Sequence, residues 1–244
     1  MRLATENIQT ALPRWAAVLA IGAHPDDESF GLGAVLTMFA DAGTRIAMLS
    51  FTHGEASTLG GVAGDLARIR AGELAAASRV LGVERSELLA YPDGGLAEQP
   101  LEELAEHVGD QAQEVRADGL LVFDRGGITG HPDHERATEA ALAAADSVGV
   151  PVLAWAIPVS VASRLNAEFG TTFVGRADSA LDIVLRVNRN RQRRAIAQHR
   201  SQSTANPVLR RRLELLGNRE WLRWLRHDAA RAHPYSAHPH LHGN

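Results

Sequence analysis

The sequence contains no cysteine and no lysine, and all 25 of its basic residues are arginine. The missing cysteines exclude disulfide bonds, thiolate zinc fingers and thiol nucleophiles. The missing lysines exclude Schiff-base chemistry and a P-loop lysine. The net charge is −4, so no strong basic field draws the chain to nucleic acid or to an anionic membrane. Apolar runs nowhere approach the roughly 20 residues that a membrane-spanning helix needs.

The length and composition are typical of one soluble domain. The chain has 244 residues, of which 45% are hydrophobic, enough for a sizeable core. We expect residues 1–232 to form a single domain and the histidine-rich residues 233–244 to form a disordered tail. Residues 1–10 lack the basic start and apolar run of a secretory signal, and we therefore expect a cytoplasmic protein.

Short apolar runs alternate along the chain with longer stretches of helical spacing. The runs predict strands at 17–22, 45–51, 87–91, 119–123, 152–157 and 181–187. The stretches between the first five predict helices at 31–42, at 65–81, from Pro100 onward and at 133–146. This alternation indicates an α/β, Rossmann-like fold with a mainly parallel sheet and helices on both faces. We interpret the arginine-rich residues 189–226 as a helical C-terminal region with a solvated charged face.

An acidic loop, HPDDE at residues 24–28, directly follows the first predicted strand. Ligand sites in parallel sheets lie at the carboxyl ends of the strands. Burying three carboxylates there is costly unless a positive charge offsets them, and a divalent cation is the natural candidate. His24 and Asp27 are three residues apart, near enough for one ion to reach both, and Asp26 would then point to the other side of the turn.

A second cluster, GHPDH at residues 130–134, lies between another predicted strand and its helix. In a parallel sheet it reaches the same edge as the first loop. His131 or His134 would then join His24 and Asp27 as a third N/O ligand. Three such ligands with an open fourth position are typical of catalytic zinc. The alternative is a pair of capped loops, each with an aspartate at a helix N-terminus and a hydrogen-bonded histidine.

These two motifs together resemble those of the LmbE/PIG-L family of metal-dependent N-acetylglucosaminyl deacetylases. The similarity continues in FTHGE at 51–55, in the R-x-x-E-L pattern at 70–74, in YPDGG at 91–95 and in H-x-S-Q at 199–202. The resemblance implies three zinc ligands, a general base, and a histidine near the scissile carbonyl. In this sequence those roles fall to His24, Asp27 and His134, to Asp26, and to His131.

The resemblance implies Zn²⁺ as the cofactor, with Fe²⁺ or another divalent metal left open. Asp26 would take the proton of the attacking water, and His131, if protonated, would stabilise the oxyanion. We expect Asp133 either to bond to His131 and orient its ring or to cap the following helix. Several family members have a tyrosine where this chain has Thr129, whose shorter side chain leaves the oxyanion to zinc, to His131 or to another group.

Three further residues are candidate substrate contacts. In the family, an arginine placed like Arg70 contacts the sugar or an attached anionic group, and the alternative is a surface salt bridge with Glu73. Asp93 could accept sugar hydroxyls or simply build its turn. His53 would line the pocket or lie exposed on its loop.

The function we predict is a zinc-dependent hydrolase that removes an acetyl or related acyl group from the amine of an amino sugar or its conjugate. One alternative is an amidase of thiol conjugates of amino sugars. Another is a non-haem iron oxygenase, whose triad also has two histidines and a carboxylate but is usually held on an antiparallel barrel. The acidic first loop, without G-x-G-x-x-G, argues against a nucleotide-binding module. We expect a small amino sugar as partner, neither nucleic acid nor membrane, and leave a homo-oligomer open.

Overall fold

The computed structural model describes residues 8–61 and 64–227. The predicted tail at 233–244 lies outside the described residues. Within them, the strands are β1 (Ala17–Gly22), β2 (Arg45–Thr52), β3 (Arg85–Tyr91), β4 (Gly119–Phe123), β5 (Val152–Ala156), β6 (Ile183–Arg186) and β7 (Arg219–Arg226). The helices are α1 (Asp27–Phe30), α2 (Gly33–Asp41), α3 (Leu66–Leu81), α4 (Leu101–Val115), α5 (Pro132–Val148), α6 (Val159–Phe169), α7 (Asn190–Ile196), α8 (Arg200–Ser203) and α9 (Pro207–Leu216).

All seven strands join one sheet in the order β3-β2-β1-β4-β5-β7-β6. The first five strands are parallel to one another, which confirms the predicted mainly parallel α/β fold. The chain moves outward from β1 to β3 and then returns to place β4 on the other side of β1. The gap between the ends of β1 and β4 is therefore a topological switch point, where ligands of open α/β sheets bind.

Helices cover both faces of the sheet, as predicted. Successive residues of β1 point to opposite faces, because side chains alternate along a strand. Val18 and Ala20 are buried in one hydrophobic core together with α2 and α3. Leu19 and Ile21 are buried in a second core together with α4 and α5. This double burial explains why the strand is a continuous apolar run instead of an alternating one.

The C-terminal region differs from its prediction. We expected helix throughout 189–226, but residues 219–226 form β7, which runs antiparallel between β5 and β6. Trp221, Leu222, Trp224 and Leu225 have a spacing that fits a helix as well as a strand. Hydrogen bonding to two neighbouring strands decides in favour of the strand.

The arginines of this region are not all solvated, contrary to the sequence interpretation. Arg189 and Arg212 are buried. Arg189 pairs with Glu220 of β7, and the Glu220 carboxylate also accepts a hydrogen bond from Trp155 Nε1 at 2.7 Å. Among the described residues, the helices are all too short or too polar to cross a membrane.

Candidate metal centre

The three predicted metal ligands meet at the switch point between β1 and β4. His24 and Asp27 come from the loop after β1, and His134 comes from the first turn of α5, which follows β4. Each offers one donor atom, and the three atoms lie within 4.8 Å of one another. His134 Nε2 lies 3.1 Å from His24 Nδ1 and 3.2 Å from Asp27 Oδ1. All three side chains are buried.

The hydrogen bonds around the two histidines leave a lone pair of each ring facing the other. His134 Nδ1 lies 3.0 Å from the Gly127 carbonyl oxygen, which only accepts, so Nδ1 carries the proton and Nε2 is free. His24 Nε2 lies 3.1 Å from Asp93 Oδ1 and 3.2 Å from Asp133 Oδ2. That nitrogen is therefore the protonated one, and Nδ1 is free in the neutral ring. Two free nitrogens and a carboxylate oxygen that converge in this way fit a divalent cation.

The charges of the cluster also favour a cation. Burial opposes the charged form of His24, but its hydrogen bonds to Asp133 and Asp93 and the charge of Asp27 outweigh burial and raise its pKa to about 10. The pKa of Asp27 is lowered, because the attraction of His134 and His24 outweighs burial. In the absence of a metal, the additional proton on His24 therefore neutralises part of the negative charge of the cluster. A metal ion that binds here displaces that proton.

Asp133 supports His24 and not His131, which corrects the prediction. Its Oδ2 atom bonds to His24 and accepts a hydrogen bond from the Gly94 backbone N–H, and Oδ1 accepts one from Leu96 N–H at 3.1 Å. The Asp133 side chain is fully buried. It therefore fixes the ring of one candidate ligand and ties the turn after β3 to α5. The alternative, a cap by the Asp133 side chain, is also wrong, because the capping side chain of α5 is that of His131.

The loop between β4 and α5 holds its shape through unusual backbone angles. Gly127 has φ 64° and Ile128 has φ 60°, and a β-branched residue rarely adopts this region. A Cβ atom on Gly127 would lie 2.9 Å from both His134 Cβ and the His131 carbonyl oxygen. Glycine is required at this position because the chain passes directly behind the two histidines. The Gly127 carbonyl oxygen also holds the His134 ring.

Asp26 lies beside the cluster and is bound to Arg70. Its Oδ2 atom is 3.0 Å from Arg70 Nη2, while Oδ1 has no hydrogen-bond partner among the described residues. Burial raises the pKa of Asp26 to about 6, against the attraction of Arg70. The residue also has φ 122°, and strain of this kind is often found at functional sites.

Arg70 joins two loops of the site from its position on α3. It donates to the Gly54 carbonyl oxygen at 2.6 Å and to the Pro25 carbonyl oxygen, in addition to Asp26. A Cβ atom on Gly54 would meet the guanidinium at 2.2 Å, which explains the glycine in that loop. The suggested salt bridge between Arg70 and Glu73 is not formed, because the Glu73 carboxylate accepts from Ser201 N–H and Oγ–H.

Glu28 braces the first loop from behind. Its carboxylate accepts a hydrogen bond from the Asp26 backbone N–H at 2.9 Å and contacts His199 Nε2 at 2.5 Å. Both Glu28 and His199 are fully buried. Their pairing connects the C-terminal helices to the loop that holds Asp26 and raises the pKa of His199, although burial opposes this.

His131 lies at the N-terminus of α5, half-buried beside the cluster. Its Nδ1 atom accepts a hydrogen bond from the Asp133 backbone N–H at 3.2 Å, so the neutral ring carries its proton on Nε2. Burial and the positive charges of His24 and His134 lower the pKa of His131. The lowered pKa favours the neutral form of the ring near pH 7, in which Nε2–H can serve as a hydrogen-bond donor. Thr129 Oγ1 lies 3.2 Å from His134 Nδ1, behind that ring.

A cavity of about 670 Å³ opens over the cluster. Asp26, Arg70, Asp93 and His131 line it. Asp93 is already bound to His24 and accepts a hydrogen bond from the Ala56 N–H at 2.9 Å. The cavity lining does not include His53, whose Nδ1 is buried without a partner in the described part of the chain.

Sequence reasoning missed one residue of this cavity. Arg212 of α9 lines it but was assigned to a solvated arginine-rich helix. Its signal lies in the spacing, because Leu209, Arg212 and Leu216 share one face of α9 and all three are buried. An arginine at an apolar position of a helix indicates either a buried ion pair or a ligand contact.

Comparison with known sequences supports the assignment of the two motifs. The profile of the PIG-L family, described as GlcNAc-PI de-N-acetylase, matches residues 19–145. A 1D-myo-inositol 2-acetamido-2-deoxy-alpha-D-glucopyranoside deacetylase from Kineococcus radiotolerans is 34% identical over 160 residues, covering 52% of this chain and 44% of that protein. An enzyme of the same name from Mycolicibacterium vanbaalenii is 30% identical over 239 residues, covering 79% of this chain and 82% of that one. The chain spans about half the length of the first curated relatives it matches.

Comparison with solved structures shows the same fold. A deacetylase of teicoplanin biosynthesis superimposes with a TM-score of 0.67 at 21% identity, covering 87% of this chain and 99% of that one. A 4-carboxy-2-hydroxymuconate hydratase from Pseudomonas putida superimposes with a TM-score of 0.65 at 16% identity, covering 87% of this chain and 97% of that one. Since both activities occur on this fold, the fold alone does not determine the reaction.

Proposed function

Because the chain belongs to the PIG-L family, we propose that it is a metal-dependent hydrolase that removes an acetyl or related acyl group from the amine of an N-acylated amino sugar or its conjugate. The observation that carries this proposal is the convergence of His24 Nδ1, Asp27 Oδ1 and His134 Nε2 beneath a cavity that Asp26 also lines. The deacetylase names of the relatives point to the same substrate class.

We assign His24, Asp27 and His134 as the ligands of a divalent cation, with Zn²⁺ as the favoured ion because two nitrogens and one carboxylate oxygen suit it. When bound, the cation supplies Lewis acidity, which lowers the pKa of a water and polarises the amide carbonyl. Asp133 and the Gly127 carbonyl hold the two imidazole rings in the tautomers that ligation requires.

Asp26 acts as the general base in this proposal. Arg70 holds its Oδ2 atom and leaves Oδ1 to accept the proton of the attacking water. A carboxylate with a pKa of about 6 is largely unprotonated at pH 7 and still basic enough to take a proton, the compromise that general acid–base catalysis needs. The same oxygen then returns the proton to the nitrogen of the leaving amine.

His131 stabilises the oxygen of the tetrahedral intermediate. Its Nδ1 is occupied by the Asp133 N–H, so the Nε2–H group is the one available to the carbonyl oxygen as negative charge develops there. Thr129 lies behind the His134 ring, which leaves this donation to His131 and not to the threonine hydroxyl.

The test is an amine-release screen over N-acetylated amino sugars with the zinc-loaded protein. We expect free amine and acetate to appear in equal amounts, and Asp26→Asn to slow the release of both by ~10²–10⁴-fold. The appearance of neither product from any N-acyl amino sugar would contradict the proposal. Hydration of an enoic acid in place of amide cleavage would assign the chain to the hydratase chemistry found on this fold.

A further inference from the structure

The Arg212 side chain is a buried cation without a carboxylate partner. Three arginines are buried in the described residues, and two of them form ion pairs, Arg70 with Asp26 and Arg189 with Glu220. Around Arg212, by contrast, residues 8–61 and 64–227 place no carboxylate oxygen within ion-pair distance. Removing a charge from water without a partner costs several kcal/mol, and here the charges of Glu220, Asp26 and Asp27 offset this cost only from beyond ion-pair distance.

The existing contacts of the guanidinium leave several of its donors free. Arg212 Nη2 donates to the Phe30 carbonyl oxygen at 2.9 Å, whereas Nε is buried without a hydrogen-bond partner among the described residues. Arg212 Cζ lies 5.3 Å from the ring centre of Trp155 and 5.9 Å from that of Phe173. These aromatic rings orient the guanidinium and stabilise its charge, but they do not accept its in-plane hydrogen bonds.

The free charge faces the same cavity as the candidate metal centre. Arg212 lines this cavity together with Asp26 and His131, and its neighbours there include the apolar side chains of Phe30 and Phe173. Burial lowers the pKa of Arg212 to about 10, so the group stays charged at neutral pH. An anion bound in this apolar part of the cavity would gain a charge-assisted hydrogen bond that water does not weaken.

We propose that Arg212 is an anion-binding residue of the substrate site and that the substrate carries a carboxylate or phosphate group in addition to its N-acyl amine. This inference rests on the proposed function, because it names the class of substrate that the same cavity accepts. Arg70 does not supply this contact, since its guanidinium is already held by Asp26, Gly54 and Pro25.

Matched substrates test the inference directly. N-acetylglucosamine is compared with its 1-phosphate, its 6-phosphate and its uronic acid, so that phosphate and carboxylate are measured separately. Because a hydrogen bond to a charged group contributes about 1.5–3 kcal/mol, kcat/KM should be roughly 10- to 100-fold higher for at least one anionic sugar than for the neutral one. Arg212→Met should remove this preference, so that the ratio of kcat/KM for the anionic sugar to kcat/KM for the neutral sugar falls to about one.

Arg211→Met is the matched control. Arg211 is the adjacent residue of α9, but it pairs with Glu168 and Glu214 at the surface, so the preference should be unchanged. Arg212→Lys keeps the charge and should retain part of the preference. If thermal unfolding shows that Arg212→Met does not fold, the uncharged Arg212→Gln replaces it as the test. A preference that persists undiminished in the folded uncharged variant, or a wild type without any preference, would overturn the inference.

A binding measurement separates this inference from the proposed function. Titration calorimetry of the zinc-loaded protein with glucosamine 6-phosphate, glucosamine 1-phosphate, glucosaminuronic acid and glucosamine needs no turnover. We expect at least one of the anionic sugars to bind more tightly than glucosamine to wild type and to Arg211→Met. Arg212→Met should bind that anionic sugar and glucosamine with equal affinity. If no amide is cleaved but this difference is present, the proposed reaction fails and the anion site stands. If amides are cleaved and the difference in affinity is absent, the proposed reaction stands and the anion site fails.

Discussion

Asp26 Oδ2 lies 3.0 Å from Arg70 Nη2, and this buried ion pair connects the loop after β1 to α3. The same guanidinium holds the carbonyl oxygens of Pro25 and Gly54. One arginine therefore fixes the direction of the proposed base, the strained backbone on which it stands, and the loop after β2. The position of Asp26 relative to the candidate metal centre therefore depends on α3 as well as on the loop itself.

Loss of the Arg70 guanidinium should impair both stability and catalysis. In Arg70→Met, the Asp26 carboxylate is buried without a partner, and breaking such a pair costs about 3–5 kcal/mol. We expect a lower Tm and a reduced kcat, measured by thermal unfolding and amine release. Arg70→Lys should recover part of both, and Arg68→Met, which changes an exposed arginine of the same helix, should match wild type. An unchanged kcat in folded Arg70→Met would show that Asp26 is positioned by other groups.

Replacement of the proposed base should lower the rate without loss of metal. Asp26→Asn keeps the size of the side chain but cannot accept the proton, and a positioned base contributes ~10²–10⁴-fold to the rate. We expect kcat to fall by that factor with unchanged metal content by elemental analysis. Turnover near that of wild type, or loss of the metal, would contradict the separation of roles between Asp26 and Asp27.

The pH profile should report the same carboxylate. Burial raises the pKa of Asp26 to about 6, and the base works only when it is unprotonated. The kcat/KM of the wild type should therefore decrease as the pH falls through about 6. Asp26→Asn should lack this acidic limb. An acidic limb that persists unchanged in the variant would assign the titration to another group.

The metal content should depend on all three proposed ligands. Replacement of His24, Asp27 or His134 by alanine removes one of three donors, so we expect loss of bound zinc after dialysis, measured by elemental analysis. His107→Ala is the matched control, because His107 lies on α4 against Tyr91, away from the cavity. Stoichiometric zinc in all three variants would place the metal elsewhere in the chain.

Replacement of His131 should affect the rate more than metal binding. The ring is not needed to complete the ligand set, but its Nε2–H group is the proposed donor to the oxyanion. Loss of one such donor typically reduces kcat by ~10²–10³-fold, which single-turnover kinetics with His131→Ala can measure at constant zinc content. A variant that binds substrate poorly but turns over normally would instead indicate a binding role.

The buried pair of Glu220 and Arg189 should stabilise the C-terminal part of the sheet. Glu220→Ala leaves Arg189 buried and unpaired and removes the acceptor of Trp155 Nε1, so the free energy of unfolding should fall by about 3–5 kcal/mol. Chemical denaturation measures this change. Glu214→Ala, which removes an exposed carboxylate, should leave stability nearly unchanged. Equal stability of the two variants would show that the buried pair contributes no net stabilisation.

The sequence by itself determined the parallel part of the fold and the location of the site. Four of the five parallel strands were predictable because a strand buried on both faces has to be a short apolar run, as 17–22 and 119–123 are. The fifth, β3, is a partly exposed edge strand to which this reason does not apply. The loops at 24–28 and 130–134 were also predictable, because the carboxyl ends of parallel strands meet at one edge. Their residue types and spacing are sufficient to indicate a divalent metal centre.

Tertiary structure alone decided what each side chain contacts. Asp133 bonds to His24 and not to His131, because the turn after β3 and the loop after β1 approach it from the sides that α5 leaves open. Residues 219–226 became a strand because two neighbouring strands offered hydrogen bonds to a segment that local spacing could not distinguish from helix. Arg212 became part of the cavity because α9 packs beside α6 and places this arginine over the rings of Trp155 and Phe173. Such contacts join residues far apart in the chain, and local periodicity holds no information about them.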